Sequence, residues 1–172
     1  MSYKSIIGSK KREDKISIAL FGGVYSQIVS HLLKDGKSPQ EVNEILKRFG
    51  KNMGERLVIT SGFVDYFKSG INKLEDVAKS VALIYKMHTN QELSDIKISG
   101  SGDLIEASDT HCAFCKDVKL GEMPDLHYCE TFSGIIEYLL DIYGWNISVH
   151  EKECKATGAD KCTWVIRIKG RK

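Results

Sequence analysis

The chain has 172 residues, 42% of them apolar, and its 25 basic and 23 acidic side chains leave a formal charge of +2. At about 150 residues per domain this is one packed domain, and so even a charge balance sets nucleic acid aside as a default partner. No run approaches the ~20 consecutive apolar residues of a membrane helix, and the polar start from Met1 to Lys15 lacks a secretory pattern, so no membrane span and a soluble, cytoplasmic protein are expected.

Residues Met1 to Asp14, with the cluster Lys10-Lys11-Arg12-Glu13-Asp14, carry little apolar periodicity. Residues 1–15 therefore read as a flexible N-terminal arm, and 16–172 as a single domain. From Ile16 to Leu33 the residues Ile16, Leu20, Val24, Ile28 and Leu32 recur at helical spacing, and Phe21, Tyr25 and Val29 widen the stripe. Asp35-Gly36-Lys37 ends this helix. Ser38-Pro39-Gln40-Glu41 opens the next with an N-cap, a first-turn proline and the glutamate of a capping box. The second helix runs through Val42, Ile45, Leu46 and Phe49 to a break near Gly50, then resumes through Met53, Leu57 and Val58 toward Phe67. A third spans about Leu74 to Met87 on Val77, Val81, Ile84 and Tyr85.

The period then changes. Ile96 and Ile98 alternate with Lys97 and Ser99, Gly100-Ser101-Gly102 turns the chain, and Leu104-Ile105-Glu106-Ala107 follows, which predicts a strand, a turn and a strand. Helical spacing returns from Met123 to Tyr143 through Phe132, Ile135, Ile136, Leu139 and Leu140, with Gly144 placed to stop it. Asn146 to His150 and Thr163 to Ile168 alternate as two closing strands. The expected class is α+β: N-terminal helices followed by a small, mostly antiparallel sheet with one inserted helix.

All five cysteines lie at position 112 or beyond, and an odd count without an export signal points to thiols or metal ligands rather than a disulfide framework. Cys154 and Cys162 sit at the two ends of a turn between the closing strands, where a hairpin brings them together. Zinc takes four tetrahedral donors, so these two thiols and a nearby carboxylate need one more ligand, which Cys129 can supply; buried thiols with a packing role are the alternative. His111-Cys112-Ala113-Phe114-Cys115 offers a C-x-x-C pair with an adjacent imidazole, the pattern of a second metal or redox site, but in a strand its two thiols point to opposite faces and a plain strand carrying thiols is the other reading. The five histidines are scattered, and no catalytic constellation or phosphate-binding loop is visible.

The stretch from Tyr128-Cys129 through Phe132-Ser133-Gly134 to Glu151-x-x-Cys154-x-x-x-Gly158-x-x-x-Cys162-x-Trp164 resembles the 4-vinyl-reductase domain. That domain is a small-molecule-binding module also found in phenol-sensing transcriptional activators. The resemblance implies a structural zinc on Cys129, Glu151, Cys154 and Cys162, with Glu153 as the fallback carboxylate. Leu20-Phe21, Tyr25, Val42-Asn43 to Leu46, Gly50 and Gly54-Glu55-Arg56-Leu57 are similar to the small subunits of the TRAPP vesicle-tethering complex, a relative in fold. The acylated subunit of that family has a cysteine soon after the arginine motif; Glu55 to Lys73 contains none, so no lipid anchor is expected there.

Together the resemblances imply a TRAPP-like, NO-signalling-domain-like fold and a homodimer through the N-terminal helices. The leading functional expectation is a non-enzymatic, zinc-stabilised module that binds a small apolar or aromatic ligand and acts on a separate regulatory partner. The alternative is a TRAPP-like dimeric scaffold or assembly subunit built on helical faces around residues 16–66. A reductase-type enzyme of tetrapyrrole metabolism comes third, carried only by the domain's name.

Overall fold

The structure, a computed structural model, describes residues 22–60 and 70–172 apart from Asp117, Glu122 and Pro124. The expected arm over 1–15, the first turn of the first helix and the extension toward Phe67 lie outside the described residues. Residues 22–34 form helix α1. Its packed face holds Tyr25 and Val29, whereas Val24 and Ile28 are 53% and 42% exposed. The apolar stripe read from the sequence is wider than the face this helix buries.

Gly36, at φ +80, turns the chain after α1 into a conformation that glycine adopts without strain. Helix α2 (Pro39–Thr60) then starts on the expected capping box. The Ser38 N–H donates to Glu41 Oε2 at 2.8 Å, and the Glu41 N–H donates back to Ser38 Oγ at 3.3 Å. The predicted break near Gly50 is absent, because α2 continues unbroken through it. Gly50 is instead a crossing point: a Cβ there would stand 1.9 Å from the Thr131 carbonyl oxygen, and one at Gly134 would stand 2.0 Å from that of Lys47. The two glycines let the backbones of neighbouring helices touch.

Helix α3 (Leu74–Thr89) buries Val77, Val81, Ile84 and Tyr85 and ends at Asn90 in the left-handed region, φ 53. Four strands follow: β1 (Asp95–Ile98), β2 (Leu104–Asp109), β3 (Trp145–Glu153) and β4 (Cys162–Arg171), all antiparallel in the order β1-β2-β4-β3. The inserted helix, α4, covers Glu130–Ile142, seven residues shorter at its start than the spacing predicts. Asn43 of α2 explains the difference. Its side-chain amide donates to the Asp125 carbonyl and accepts from the His127 N–H, both at 2.8 Å, so the segment spends on α2 the backbone bonds a helix would use. Helix α4 lies between α2 and the sheet, and the rings of Tyr85, Phe114, Phe132 and Trp164 fill the core beside it, with Phe132 5.2 Å from Tyr85 and 5.0 Å from Trp164.

Candidate metal centre

Cys129 is the N-cap of α4, and its backbone is held from both sides. Tyr25 donates its hydroxyl to the Tyr128 carbonyl at 2.6 Å, while the Trp164 indole N–H donates to the Cys129 carbonyl at 3.3 Å. Cys154 follows β3, Cys162 opens β4, and register places Glu151 opposite Trp164. The connection is tight: the Thr157 and Ala159 N–H groups return to the Cys154 carbonyl, Gly158 takes φ +106, and the Lys155 N–H donates to Cys162 Sγ at 3.4 Å. An amide aimed at sulfur favours the thiolate form that a metal needs.

These elements bring Cys129, Glu151, Cys154 and Cys162 together, with one donor atom from each inside a 4.8 Å span and every residue buried. Cys129 Sγ stands 3.9 Å from both Cys154 Sγ and Cys162 Sγ. Four sulfurs at ~2.3 Å around one zinc ion lie about 3.8 Å apart, so the spacing suits tetrahedral coordination. Glu151 supplies the decisive test of fit. Its Oε2 accepts the Cys129 N–H at 2.7 Å, yet its Oε1 is fully buried with no hydrogen-bond partner. An unpaired buried carboxylate oxygen costs several kcal/mol of lost hydration unless a cation takes its place. Burial followed by the nearby Cys154 pushes the Glu151 carboxyl well above the usual range, and burial followed by the adjoining thiols does the same to Cys129. A divalent cation at the centre would remove this conflict and hold all four donors in their charged form. The fallback carboxylate, Glu153, instead accepts from Thr163 Oγ1 at 2.8 Å.

Cys112 and Cys115 correct the sequence reading. Residues 111–116 form turns rather than a strand, and both thiols enter the same buried cluster. Asp109 is the cause: its Oδ1 accepts the His111 N–H at 2.8 Å and the Ser94 hydroxyl at 2.9 Å, which ends β2 and turns the chain inward. An aspartate three residues ahead of the C-x-x-C pair is the signal that could have shown this. The adjacent imidazole of His111 pairs with Thr110 Oγ1 at 2.9 Å.

The ion network behind the cluster was not legible from spacing. Glu130 Oε2 accepts the Glu151 N–H at 2.7 Å, and Lys47 of α2 reaches Glu137 at 2.7 Å and Glu130 at 3.6 Å. Burial lifts the Glu130 carboxyl to about 6. Lys47→Met takes the cation from buried Glu130 and leaves the half-buried Glu137 with Lys51 alone, at 2.9 Å, and is expected to cost about 2 kcal/mol, reduced from the fully buried case because Lys47 is partly hydrated. Urea unfolding measures it, and an unchanged midpoint would show the network to be inert.

Residues 21–169 match the family described as transport protein particle (TRAPP) component. Among solved structures, a trafficking protein particle complex subunit 3 from Naegleria fowleri, covalently bound to palmitic acid, shares the fold at TM-score 0.75 and 24% identity over 91% of this chain and 98% of that one. An H-NOX protein from S. oneidensis follows at TM-score 0.53, 14% identity, 86% of this chain and 74% of that one. A search of curated protein sequences gives no significant match.

Proposed function

The chain belongs to the TRAPP component family, and from that premise we propose that it is a non-enzymatic scaffold subunit that pairs with a second copy of itself through its N-terminal helices. The outer face of α1 carries this reading. Val24 and Ile28, one helical turn apart and so adjacent on one face, are exposed, and α2 adds Phe49 at 41% and Ile59 at 72%. Single exposed apolar side chains are ordinary, but large ones repeated on consecutive helices mark an interaction surface. Ile28→Asp combined with Val24→Asp is expected to convert a dimer into a monomer in analytical ultracentrifugation while leaving the circular dichroism spectrum intact. A wild type that stays monomeric across the whole concentration series would contradict the proposal.

The second part of the proposal is that Cys129, Glu151, Cys154 and Cys162 hold a structural zinc ion. A closed set of four protein donors leaves no coordination position for substrate, so the ion acts as a staple between α4 and the β3–β4 hairpin. All five thiols are buried in this cluster, and for that reason we propose no counterpart of the fatty-acid attachment named for the Naegleria protein. Binding of a small apolar or aromatic molecule, with a signal to a regulatory partner, ranks second. The space beside α4 is filled by four aromatic rings, and two clefts among the described residues, of about 150 and 220 Å³, are lined chiefly by charged and polar side chains such as Lys97, Glu106, Lys51 and Glu137.

A further inference from the structure

The cluster contains more donors than one tetrahedral ion can use. Besides the four residues above, Cys112, Cys115, Cys129 and Cys162 form a second buried group whose sulfurs all lie within 4.8 Å of one another. Cys112 Sγ is 3.7 Å from Cys129 Sγ, and Cys115 Sγ is 3.4 Å from Cys162 Sγ. The two groups share two members, Cys129 and Cys162, and each is close to the edge length of a thiolate tetrahedron.

We propose that this protein binds two zinc ions side by side, bridged by the Cys129 and Cys162 thiolates, with Cys112 and Cys115 completing one tetrahedron and Glu151 and Cys154 the other. The inference rests on the zinc reading of the preceding section and extends it to the donors that reading leaves unused.

A single ion at either group strands two buried donors. Occupying the Cys129, Glu151, Cys154 and Cys162 group leaves Cys112 and Cys115 as thiols pressed against charged sulfur. Occupying the other group leaves Glu151 Oε1 unpartnered in the core. Two ions satisfy all six donors. The charge is no worse for it: five thiolates and one carboxylate bring six negative charges, and two divalent ions return four, leaving −2. One ion among four ionised donors also leaves −2. Soft sulfur donors and tetrahedral spacing select zinc, or its probe cadmium, over hard oxygen-seeking cations. The second ion would also tie the turn of residues 111–116 to the start of α4 and the hairpin, so three separate segments meet at the bridging sulfurs.

The test is native mass spectrometry of the full chain titrated with Zn²⁺, beside the Cys112→Ser/Cys115→Ser double variant. The expected result is two zinc ions per chain in the wild type and one in the variant. One ion in both would overturn the bridged pair and leave the single staple standing, whereas none in either would overturn the staple as well. One ion in the wild type and none in the variant would place the metal in the all-cysteine group and contradict both assignments. Should the variant fail to fold, wild-type protein loaded with ¹¹³Cd decides the matter by NMR: two resonances that split each other through the shared sulfurs support the pair, and a single unsplit resonance overturns it.

Discussion

Cys129→Ser is expected to release bound metal and lower the melting temperature by about 10 °C or more. Cys129 belongs to both groups of donors, so its loss disables either mode of coordination. The substitution is otherwise mild, because serine nearly matches cysteine in size and is a favoured N-cap at the position Cys129 occupies. What disappears is therefore the metal's share of the folding free energy, an apparent value of about 10–16 kcal/mol in zinc-finger peptides. Even a third of that, about 4 kcal/mol, corresponds to ~10 °C at the 2–4 °C per kcal/mol typical of a chain this long. Cys154→Ser should act in the same direction while sparing Cys112 and Cys115. Metal content by atomic emission and a thermal scan read both effects. Full metal occupancy with an unchanged transition in Cys129→Ser would sink the assignment.

Gly134→Ala is the second large effect. On propensity alone, alanine in the middle of α4 should stabilise the helix by about 1 kcal/mol. Its Cβ, however, would stand 2.0 Å from the Lys47 carbonyl oxygen and 2.9 Å from the Lys51 nitrogen, and both atoms are backbone of α2 that no rotamer change can move aside. The helices must separate, which opens the packing around Leu46, Thr131 and Ile135. A net destabilisation of about 3 kcal/mol or more is expected, the upper part of the range for overpacked cores. Gly50→Ala, with 1.9 Å to the Thr131 carbonyl, should match it. Because the helix also carries Cys129 and Glu130, Gly134→Ala should loosen metal retention against a chelator as well. A variant as stable as the wild type would show that this crossing is not tight.

Much of the architecture could be read from local signals because those signals have local causes. The capping box at Ser38, the glycine after α1, the Leu74 helix and the alternation that gives β1 through β4 all depend on neighbours within a few residues. Two departures arose where a distant partner overrides the local pattern. Gly50 looks like a helix break, yet it is retained inside a continuous helix because α4 must come close. The residues from Asp125 to Tyr128 lie in a stretch with helical spacing, yet Asn43, about 80 positions earlier in the chain, draws them out of the helix.

The candidate site divides in the same way. The spacing between Cys154 and Cys162 could be read directly, since a hairpin joins its own ends, Cys129 followed as the missing donor, and the family resemblance named Glu151 as the carboxylate. Cys112 and Cys115 were misread because alternation was applied to a segment that Asp109 turns out of the sheet. The breadth of the α1 stripe was visible in the sequence, but which half is buried was not. Tyr25 turns inward because Tyr128 and Thr131 offer it hydrogen-bond partners at 2.6 and 2.7 Å. Val24 and Ile28 are left outside. The family match runs from residue 21 to 169, so it embraces the cysteine-rich half as well as the helices that first pointed to it.

That a metal-stapled domain of this family assembles through its first two helices is decided by native mass spectrometry of protein purified without added metal, followed by denaturing release. The predicted result is a homodimer with zinc in each chain and no apolar molecule released. A folded, metal-free monomer would contradict it.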